Sequence, residues 1–343
     1  MTAKRIGFFT RVLDMAQPAE RYRMGIEQVV MAERCGFDSV WIAQHHFNED
    51  EGGMPSPLVF LAYAAARTQR IRLGTGIITL PLENPVRVAE DTIVLDMLSG
   101  GRLEVGMGPG GTPSSFTAFG HDNAQRNEIF ERHLAQVRAA WHGDDLGGNN
   151  HLYPEASKLG ARVWQATFSV FGAIRAGQAG DGLLLSRTQP RTQEQPNASI
   201  ADIQNPIIDA YLAALPAGCE PRILGSRSVF VADDRNEARH FAEIGLRRFR
   251  TVKKPDPRLA AASLDELIAA GDSHVGTPEE VIASMKADST LERCTDIAFQ
   301  VHSMDPPHPF VLRSIELVAE KVAPAFGWQR ADQPAPQRLA VAS

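Results

Sequence analysis

Cysteine is scarce in this 343-residue chain, and long apolar runs are missing. Cys35, Cys219 and Cys294 are far apart and form no CxxC pair, which argues against a disulfide framework and suits a reducing cytoplasm. The longest apolar run, 57–66, stops well short of the roughly 20 residues that a membrane span needs. No charged leader with a cleavable apolar segment opens the sequence. We therefore expect a cytoplasmic protein without a membrane partner.

Positive charge and aromatic residues are also limited. The formal net charge is −6 and the aromatic share is 7%. Lys and Arg cluster only briefly, in "LRRFR" and "VKK". A nucleic-acid-binding surface usually needs a basic patch, and a base-stacking surface needs aromatic rings. This composition therefore excludes nucleic acid as an expected partner.

What the sequence does have is a regular alternation of short β-rich runs and longer amphipathic stretches. This alternation predicts parallel strands joined by helices. The predicted strands are 5–9, 39–43, 72–80, 102–107, 163–167, 182–185, 228–232 and 296–301. The predicted helices are 19–35, 57–68, 85–98, 124–141, 170–179, 201–215, 236–249 and 309–323, with a further helix after the capping sequence "GTPEEV".

Eight such units in one chain favour a closed (β/α)8 barrel over an open sheet, because this α/β barrel typically takes about 250 residues plus insertions. We predict a single barrel domain over 1–328. Two polar segments are insertions beyond the eight strand–helix units, namely 142–160 after strand 4 and 250–273 before strand 8. The last segment, 329–343, is predicted to be a loose tail.

Two adjacent histidines end the second strand in "VWIAQHHF". Successive strand residues face opposite sides, so we expect one of His45 and His46 to face the barrel mouth and the other to pack away from it. Neighbouring histidines are poorly spaced for one metal ion, and no HExxH or Cys/His cluster accompanies them. We therefore predict no metal site. A purely structural role for both histidines is the alternative.

A glycine-rich segment, "GMGPGG", follows the fourth strand. Gly106, Gly108 and Gly111 match the dinucleotide-binding pattern G-x-G-x-x-G, but that site needs a helix to open directly after the glycines. The next residues contain Pro113 and show no helix start, which argues against a dinucleotide site. We interpret the glycines as bare backbone against which a flat ligand can lie.

The segment "TFSVFG" connects the fifth strand directly to a helix. Unpaired backbone N–H groups at a helix start, together with the Ser169 hydroxyl, can hold a phosphate monoester. An ordinary helix cap at Ser169 explains the same residues equally well.

These motifs, in this order, resemble the bacterial luciferase-like monooxygenases, which are flavin- or deazaflavin-dependent (β/α)8 barrels. The resemblance rests on "FDSVWIAQHHF", "RIRLGTGIITLPLENPVRVAEDTIVLDMLSGGRLEVGMGPG", "VWQATFS" with "AGQAGDGLLLSR", and "VGTPEEV". Together these stretches span most of 5–325. One departure is clear: the luciferases proper carry a reactive cysteine where this chain has Gly108, so light emission is not implied.

The resemblance also assigns roles to residues. His45 matches the catalytic histidine, and His46 is its structural neighbour. A non-proline cis peptide bond is implied at Gly76–Ile77, beneath the flavin ring. The remaining implied cofactor contacts are Gly108, a phosphate-binding turn of Phe168 (through its backbone), Ser169 and Gly172, its arginine partner Arg126, and Ser186 and Arg187 at a strand end.

The implied activity is that of a two-component monooxygenase. Reduced FMN, supplied by a separate flavin reductase, would react with O2 through a C4a-(hydro)peroxyflavin to oxygenate a small organic substrate. The resemblance also implies a homodimer. Two alternatives remain open: an F420-dependent hydride-transfer enzyme, less favoured because few basic residues are near the mouth, and a flavin-binding protein without catalysis.

Overall fold

Ten β-strands in the described part of the chain form the core. The computed structural model describes residues 4–155, 158–249, 259–301 and 304–330. The strands are β1 (Arg5–Thr10), β2 (Ser39–Ile42), β3 (Arg72–Thr75), β4 (Ile78–Thr79), β5 (Leu103–Gly108), β6 (Val163–Ala166), β7 (Gly182–Leu185), β8 (Ile223–Val231), β9 (Ser273–Gly276) and β10 (Asp296–Gln300). Every pairing between them is parallel.

The sheet closes on itself. Strand β10 pairs with both β1 and β8, so β1, β2, β3, β5, β6, β7, β8 and β10 form an eight-stranded ring. The short β4 continues the line of β3 and pairs with β5, while β9 adds to the end of β8 outside the ring. The predicted (β/α)8 barrel is therefore confirmed.

Helices cover the outside of the barrel. They are α1 (Pro18–Cys35), α2 (Pro57–Arg67), α3 (Pro85–Leu98), α4 (Pro113–Ala118), α5 (Arg126–His142), α6 (Val170–Gln178), α7 (Ile200–Ala214), α8 (Arg235–Arg248), α9 (Leu264–Ala270), α10 (Pro278–Lys286), α11 (Ser289–Arg293) and α12 (His308–Leu317). Within the described ranges, none is long and apolar enough to cross a membrane.

Local sequence signals set where these helices begin and end. Helix α1 ends at Gly36, whose φ of 94° lies in the left-handed region that glycine tolerates. The side chain of Asn84 accepts hydrogen bonds from the first amides of α3. At α10 the carboxylate of Glu280 accepts a hydrogen bond of 3.0 Å from the backbone N–H of Thr277, as the capping sequence predicts.

Several predicted boundaries were wrong. The run predicted as one strand over 72–80 is divided into β3 and β4, and Leu80 starts a 3-10 turn. The run predicted as strand 228–232 begins earlier, at Ile223, because glycine, serine and the buried Arg227 hide the apolar pattern. The guanidinium Nε of Arg227 lies 2.6 Å from Asp288 Oδ2, which neutralises its charge inside the protein.

The predicted insertions and tail are only partly described. The segment 250–273, predicted as a loop, contains α9, and β9 begins at its last residue, Ser273, while 250–258 lie outside the described residues. The final helix ends at Leu317 and continues as π and 3-10 turns to Phe326. Of the predicted tail, 331–343 lie outside the described residues.

Two tryptophans fill the interior of the barrel. Trp41 lies opposite Gly74 on the next strand, and Trp164 lies opposite Gly182. A Cβ on either glycine would overlap ring atoms of its tryptophan. The two indoles meet edge to face, with ring centroids 5.5 Å apart, in a cluster with Leu184, Leu224 and Ala298. The missing side chains of the glycines therefore let the indoles lie across the neighbouring strands and form a floor.

We predict that Gly182→Ala destabilises the protein by about 1–3 kcal/mol, because the added methyl group overpacks against the Trp164 ring. The measurement is the free energy of unfolding in urea. Gly160→Ala is the matched control: a Cβ there meets no atom within 4 Å, so we expect a change within about 0.5 kcal/mol. Equal losses in both variants would contradict the prediction.

Candidate active site

A cavity of about 1100 Å³ opens above the tryptophan floor, at the carboxyl ends of the barrel strands. In α/β barrels this end holds the active site. The predicted site residues that line the cavity are His45, Gly76, Ile77, Gly108, Phe168, Ser186 and Arg187. The predicted residues outside its lining are Arg126, Ser169 and Gly172. The residues predicted beside the flavin ring thus lie in one cavity. Of the predicted phosphate-binding residues, Phe168 lines the cavity and Ser169 directly follows it, whereas Arg126 is on α5 and outside the lining.

His45 is held by the loop that follows β2. Its backbone N–H donates a hydrogen bond of 3.0 Å to the carbonyl of Met54. Its ring Nδ1 lies 3.8 Å from Glu51 Oε2. That carboxylate also accepts a hydrogen bond from the Thr112 hydroxyl at 3.3 Å, and the Glu51 carbonyl accepts one from Arg11 at 3.0 Å. The loops after β1, β2 and β5 therefore meet around one imidazole.

The surroundings of His45 favour its neutral form. Burial lowers the pKa of the imidazole from its ordinary value, and the positive charges of Arg11 and Arg187 lower it further. The hydrogen bond and negative charge of Glu51 act in the opposite direction but do not reverse the shift. A neutral imidazole can accept a proton from a ligand and return it.

The expectation that His45 and His46 face opposite sides was wrong. Both residues line the cavity. Strand β2 ends at Ile42, so the strict alternation of a strand no longer applies three residues later. His46 packs edge to face against Phe119, with ring centroids 4.9 Å apart, and is only 9% exposed. Burial lowers the pKa of its imidazole as well.

The peptide bond between Gly76 and Ile77 is cis, as predicted. Strands β3 and β4 flank it, and both of its residues line the cavity. Gln44, which the sequence analysis did not single out, ties this segment to β2. Its Oε1 accepts a hydrogen bond of 2.7 Å from the backbone N–H of Thr79, and its Nε2 donates to Glu83 Oε1 at 2.6 Å. The residue just before His45 thereby fixes the chain just after the cis bond.

The glycine-rich segment supplies bare backbone, but one expectation about it was wrong. A Cβ on Gly108 would lie 2.9 Å from Ile77 Cδ1, inside the cavity wall. The next residues do open a helix, because Pro113 is the first residue of the six-residue α4. Proline suits a first helical turn, which the sequence analysis overlooked. A closed barrel still differs from the open sheet of a dinucleotide fold.

The turn at the start of α6 lies next to the cavity. Phe168 lines the cavity and is 54% exposed. Ser169 caps the helix, and its Oγ accepts a hydrogen bond of 3.2 Å from the backbone N–H of Gly172. Arg126 is half-buried and donates to the Asn123 carbonyl at 3.0 Å. The ordinary cap is therefore present, and a role in phosphate binding stays a prediction.

Two further polar residues in the cavity were missed by the sequence analysis. Gln189 follows β7, and Ser226 lies on β8. Gln189 belongs to the motif "SRTQ", in which only Ser186 and Arg187 were predicted as site residues, because they come directly at the strand end. Ser226 shares its strand face with Leu224 and Ser228, an alternation that would have been visible had the first half of β8 been predicted. Across the described ranges, no three His, Cys, Asp or Glu side chains gather in a metal-binding arrangement.

Comparison with known proteins identifies the family. The family description "Luciferase-like monooxygenase" matches residues 5–291, most of the chain. A 4-hydroxyprotoasukamycin monooxygenase from Streptomyces nodosus subsp. asukaensis is 30% identical, over 88% of this chain and 86% of its own. A limonene 1,2-monooxygenase from Rhodococcus erythropolis is 29% identical, over 88% and 80%. The chain belongs to the luciferase-like monooxygenase family and is accordingly an enzyme, as the sequence motifs predicted.

Solved structures share the architecture. The monooxygenase RslO1 from Streptomyces bottropensis superposes with a TM-score of 0.75 at 28% identity, over 94% of this chain and 99% of its own. The oxygenating constituent of 3,6-diketocamphane monooxygenase, a type II Baeyer–Villiger enzyme from Pseudomonas putida in complex with FMN, gives 0.74 at 20% identity, over 94% and 98%. A coenzyme F420-dependent tetrahydromethanopterin reductase from Methanopyrus kandleri gives 0.68 at 18% identity, over 95% and 100%. The last two likenesses show the fold alone.

We predict that Glu51→Gln lowers the pKa of His45 further, because the imidazolium loses its nearest negative charge. The measurement is an NMR titration of the His45 ring. Glu27→Gln is the matched control, since Glu27 Oε2 lies 2.9 Å from His308 Nε2 and helps to raise the pKa of that histidine. The control should lower the pKa of His308 and leave His45 unchanged. An unmoved His45 in the Glu51 variant would contradict the prediction.

Proposed function

We propose that this enzyme is an FMN-dependent monooxygenase that uses reduced FMN and O2 to oxygenate a small organic substrate. One observation carries the proposal. A partly buried imidazole, His45, shares a cavity wall with the side-chain-poor backbone of Gly76 and Gly108, above an apolar floor. That arrangement offers a flat ring a surface to lie on and a proton donor or acceptor beside it.

The residues present fit a flavin mononucleotide. The cavity, at about 1100 Å³, has room for a flavin together with a second small molecule. Gly76, Ile77 and Gly108 would contact the ring system. Thr167 and Phe168 line the cavity and lead into the start of α6, where Ser169 would hold the phosphate. We propose Arg126, the first residue of α5, as the positively charged partner of that phosphate.

Reduced FMN, when bound, would supply the electrons that activate O2 for transfer of one oxygen atom to the substrate. The chain's own contribution begins with His45. Its Nδ1 lies toward Glu51, so we propose that Nε2 exchanges a proton with the bound molecules. Apolar side chains such as Leu82, Phe116 and Leu246 line the cavity and would exclude water that otherwise diverts the reaction to peroxide.

FMN is favoured over F420 by the charges in the cavity. A longer, more acidic cofactor tail would need uncommitted positive charge near the mouth. Arg11 donates to the Glu51 carbonyl, and Arg191 pairs with Asp272 at 2.7 Å. The basic pair in "VKK" lies outside the described residues. The two curated relatives named above are monooxygenases, which also supports oxygen chemistry over hydride transfer.

We also propose that a separate reductase supplies the reduced FMN. The structural neighbour from Pseudomonas putida is called the oxygenating constituent of its system, a description of one component among others. A diffusing reduced flavin would then connect the two proteins.

We predict that His45→Ala keeps FMN affinity but shortens the time before reduced flavin is reoxidised. The anaerobic complex with reduced FMN is mixed rapidly with oxygenated buffer, and the oxidised-flavin absorbance is followed together with peroxide release. In the natural protein reoxidation should be slower than for free flavin. In the variant the rate constant of reoxidation should rise about a hundredfold. Reoxidation by the natural protein as fast as free flavin would sink the proposal and direct the next titration to F420.

Arg126→Ala should weaken FMN binding, whereas His45→Ala should change only the rate at which bound reduced flavin is reoxidised. Loss of a charged hydrogen bond to a phosphate costs roughly 1.5–3 kcal/mol, so FMN affinity should fall about 10- to 100-fold. Riboflavin, which lacks the phosphate, should bind both proteins equally. An equal loss for both ligands would argue against phosphate contact at Arg126.

We further propose that the chain forms a homodimer through α2 and α3. These helices pack against each other and bury Phe60 and Leu61 toward the core. Their outer faces carry large apolar side chains that are about half or more exposed: Val59, Tyr63, Val94, Met97 and Leu98. Exposed apolar side chains on two helices that pack together are typical of a protein interface. The apolar helix 57–68 thus serves the core on one face and offers the dimer contact on the other.

We predict that Leu98→Asp weakens dimerisation on the order of tenfold or more, because a charge would be buried in an apolar interface. The measurement is molar mass against concentration by light scattering. Ile244→Asp is the matched control, since Ile244 is half exposed on α8. A monomeric natural protein, or the same shift in both variants, would contradict the proposed interface.

A further inference from the structure

Gln189 and Ser226, like Nε2 of His46 after β2, present buried polar atoms in the cavity lining that have no hydrogen-bond partner within the described part of the chain. Gln189 is 4% exposed, and neither its Oε1 nor its Nε2 makes a hydrogen bond. Ser226 is 5% exposed, and its Oγ also lacks a partner. Buried polar groups in native proteins are nearly always paired, so such groups in a cavity mark a place where a ligand or water can bind.

Both residues lie on one side of the barrel. Ser226 is on β8, and Gln189 follows the adjacent strand β7. Around the ring of eight strands, β8 stands four positions from β3, which places it opposite the segment that leads into Gly76 and Ile77. Gly76 and Ile77, proposed to contact the flavin ring, therefore lie across the barrel from these unpaired groups. Ser186 and Arg187, the implied cofactor contacts after β7, come just before Gln189 on this side.

The neighbouring side chains are apolar or already form a hydrogen bond or an ion pair. Leu224 precedes Ser226 on the same face of β8 and lines the cavity, as does Leu184 of β7. Arg187 donates a hydrogen bond of 3.0 Å to the Ser228 hydroxyl, and the guanidinium of Arg191 is paired with Asp272. What this side offers a ligand is an apolar surface with an uncharged carboxamide and a hydroxyl.

We propose that Gln189 and Ser226 bind the substrate through an uncharged edge that carries a hydrogen-bond donor beside an acceptor, as in a lactam, an amide or a hydroxy-ketone. The carboxamide of Gln189 presents one acceptor and two donors, which complements such an edge. A plain hydrocarbon would leave both residues unpaired and bind less well. This inference rests on the proposed function, because it assigns the remaining space to the substrate of that reaction.

The test uses carbostyril, a benzo-fused lactam, and its N-methyl derivative, which keeps the carbonyl and loses the N–H donor. Dissociation constants are measured by calorimetry for the protein with and without FMN. The natural protein should bind carbostyril several-fold more tightly than the N-methyl compound. This comparison needs no substitution and so does not depend on the folding of any variant.

Gln189→Leu keeps the size of the side chain and removes both polar atoms. We expect it to weaken carbostyril binding about tenfold and to abolish the preference over the N-methyl compound. Ser226→Ala should have a smaller effect in the same direction. Gln136→Leu, on the exposed face of α5, is the matched control and should change neither constant. FMN affinity should stay the same in all three.

Two results would overturn the inference. If Gln189→Leu weakens FMN binding and leaves carbostyril unaffected, the carboxamide binds the cofactor and not the substrate. If the natural protein binds both lactams equally and no variant changes that, the two side chains are satisfied by water. Failure of the proposed function is distinguishable, because it would appear as absent FMN binding while lactam binding to the cofactor-free protein could still be measured.

Discussion

The packing of two indole rings over two glycines is the constraint on which the cavity depends. Trp41 and Trp164 are large side chains that point into a closed barrel, and they fit because Gly74 and Gly182 leave the neighbouring strands bare. With the lower interior filled, the cavity lies at the carboxyl ends of the strands. The barrel is thereby a packed core below and a binding cavity above.

The upper rim is joined by polar contacts between neighbouring loops. Gln44 links the end of β2 to the chain after the cis bond, while Arg11 and Thr112 both bind Glu51 beside His45. These contacts cross from strand to strand, so the position of His45 depends on three loops and not on β2 alone. A histidine held in this way keeps one orientation, which a proton exchange at a fixed atom requires.

Much of this architecture could be predicted from the sequence, because eight alternating periodic segments leave few folds to choose from. The cis bond and the grouping of His45, Gly76 and Gly108 came from the resemblance of long motifs, not from periodicity. The predictions that were wrong concern local features. Alternation could not be extended beyond the end of β2 to His46, and a strand containing a buried, ion-paired Arg227 did not look like a strand. Both failures arise because tertiary partners decide what local patterns mean.

The two sides of the cavity differ in their lining, which is bare backbone on one side and side chains on the other. The wall at the ends of β3 and β5 includes the bare backbone of Gly76 and Gly108, where an added Cβ would lie 2.7 Å from the Phe9 ring or 2.9 Å from Ile77 Cδ1. The wall formed by β7 and β8 consists of side chains, among them Gln189 and Ser226, that can be exchanged without moving a strand. A barrel divided in this way can keep one cofactor surface while its other wall changes. Substrate preference within such a fold should therefore follow the residues after β7 and along β8.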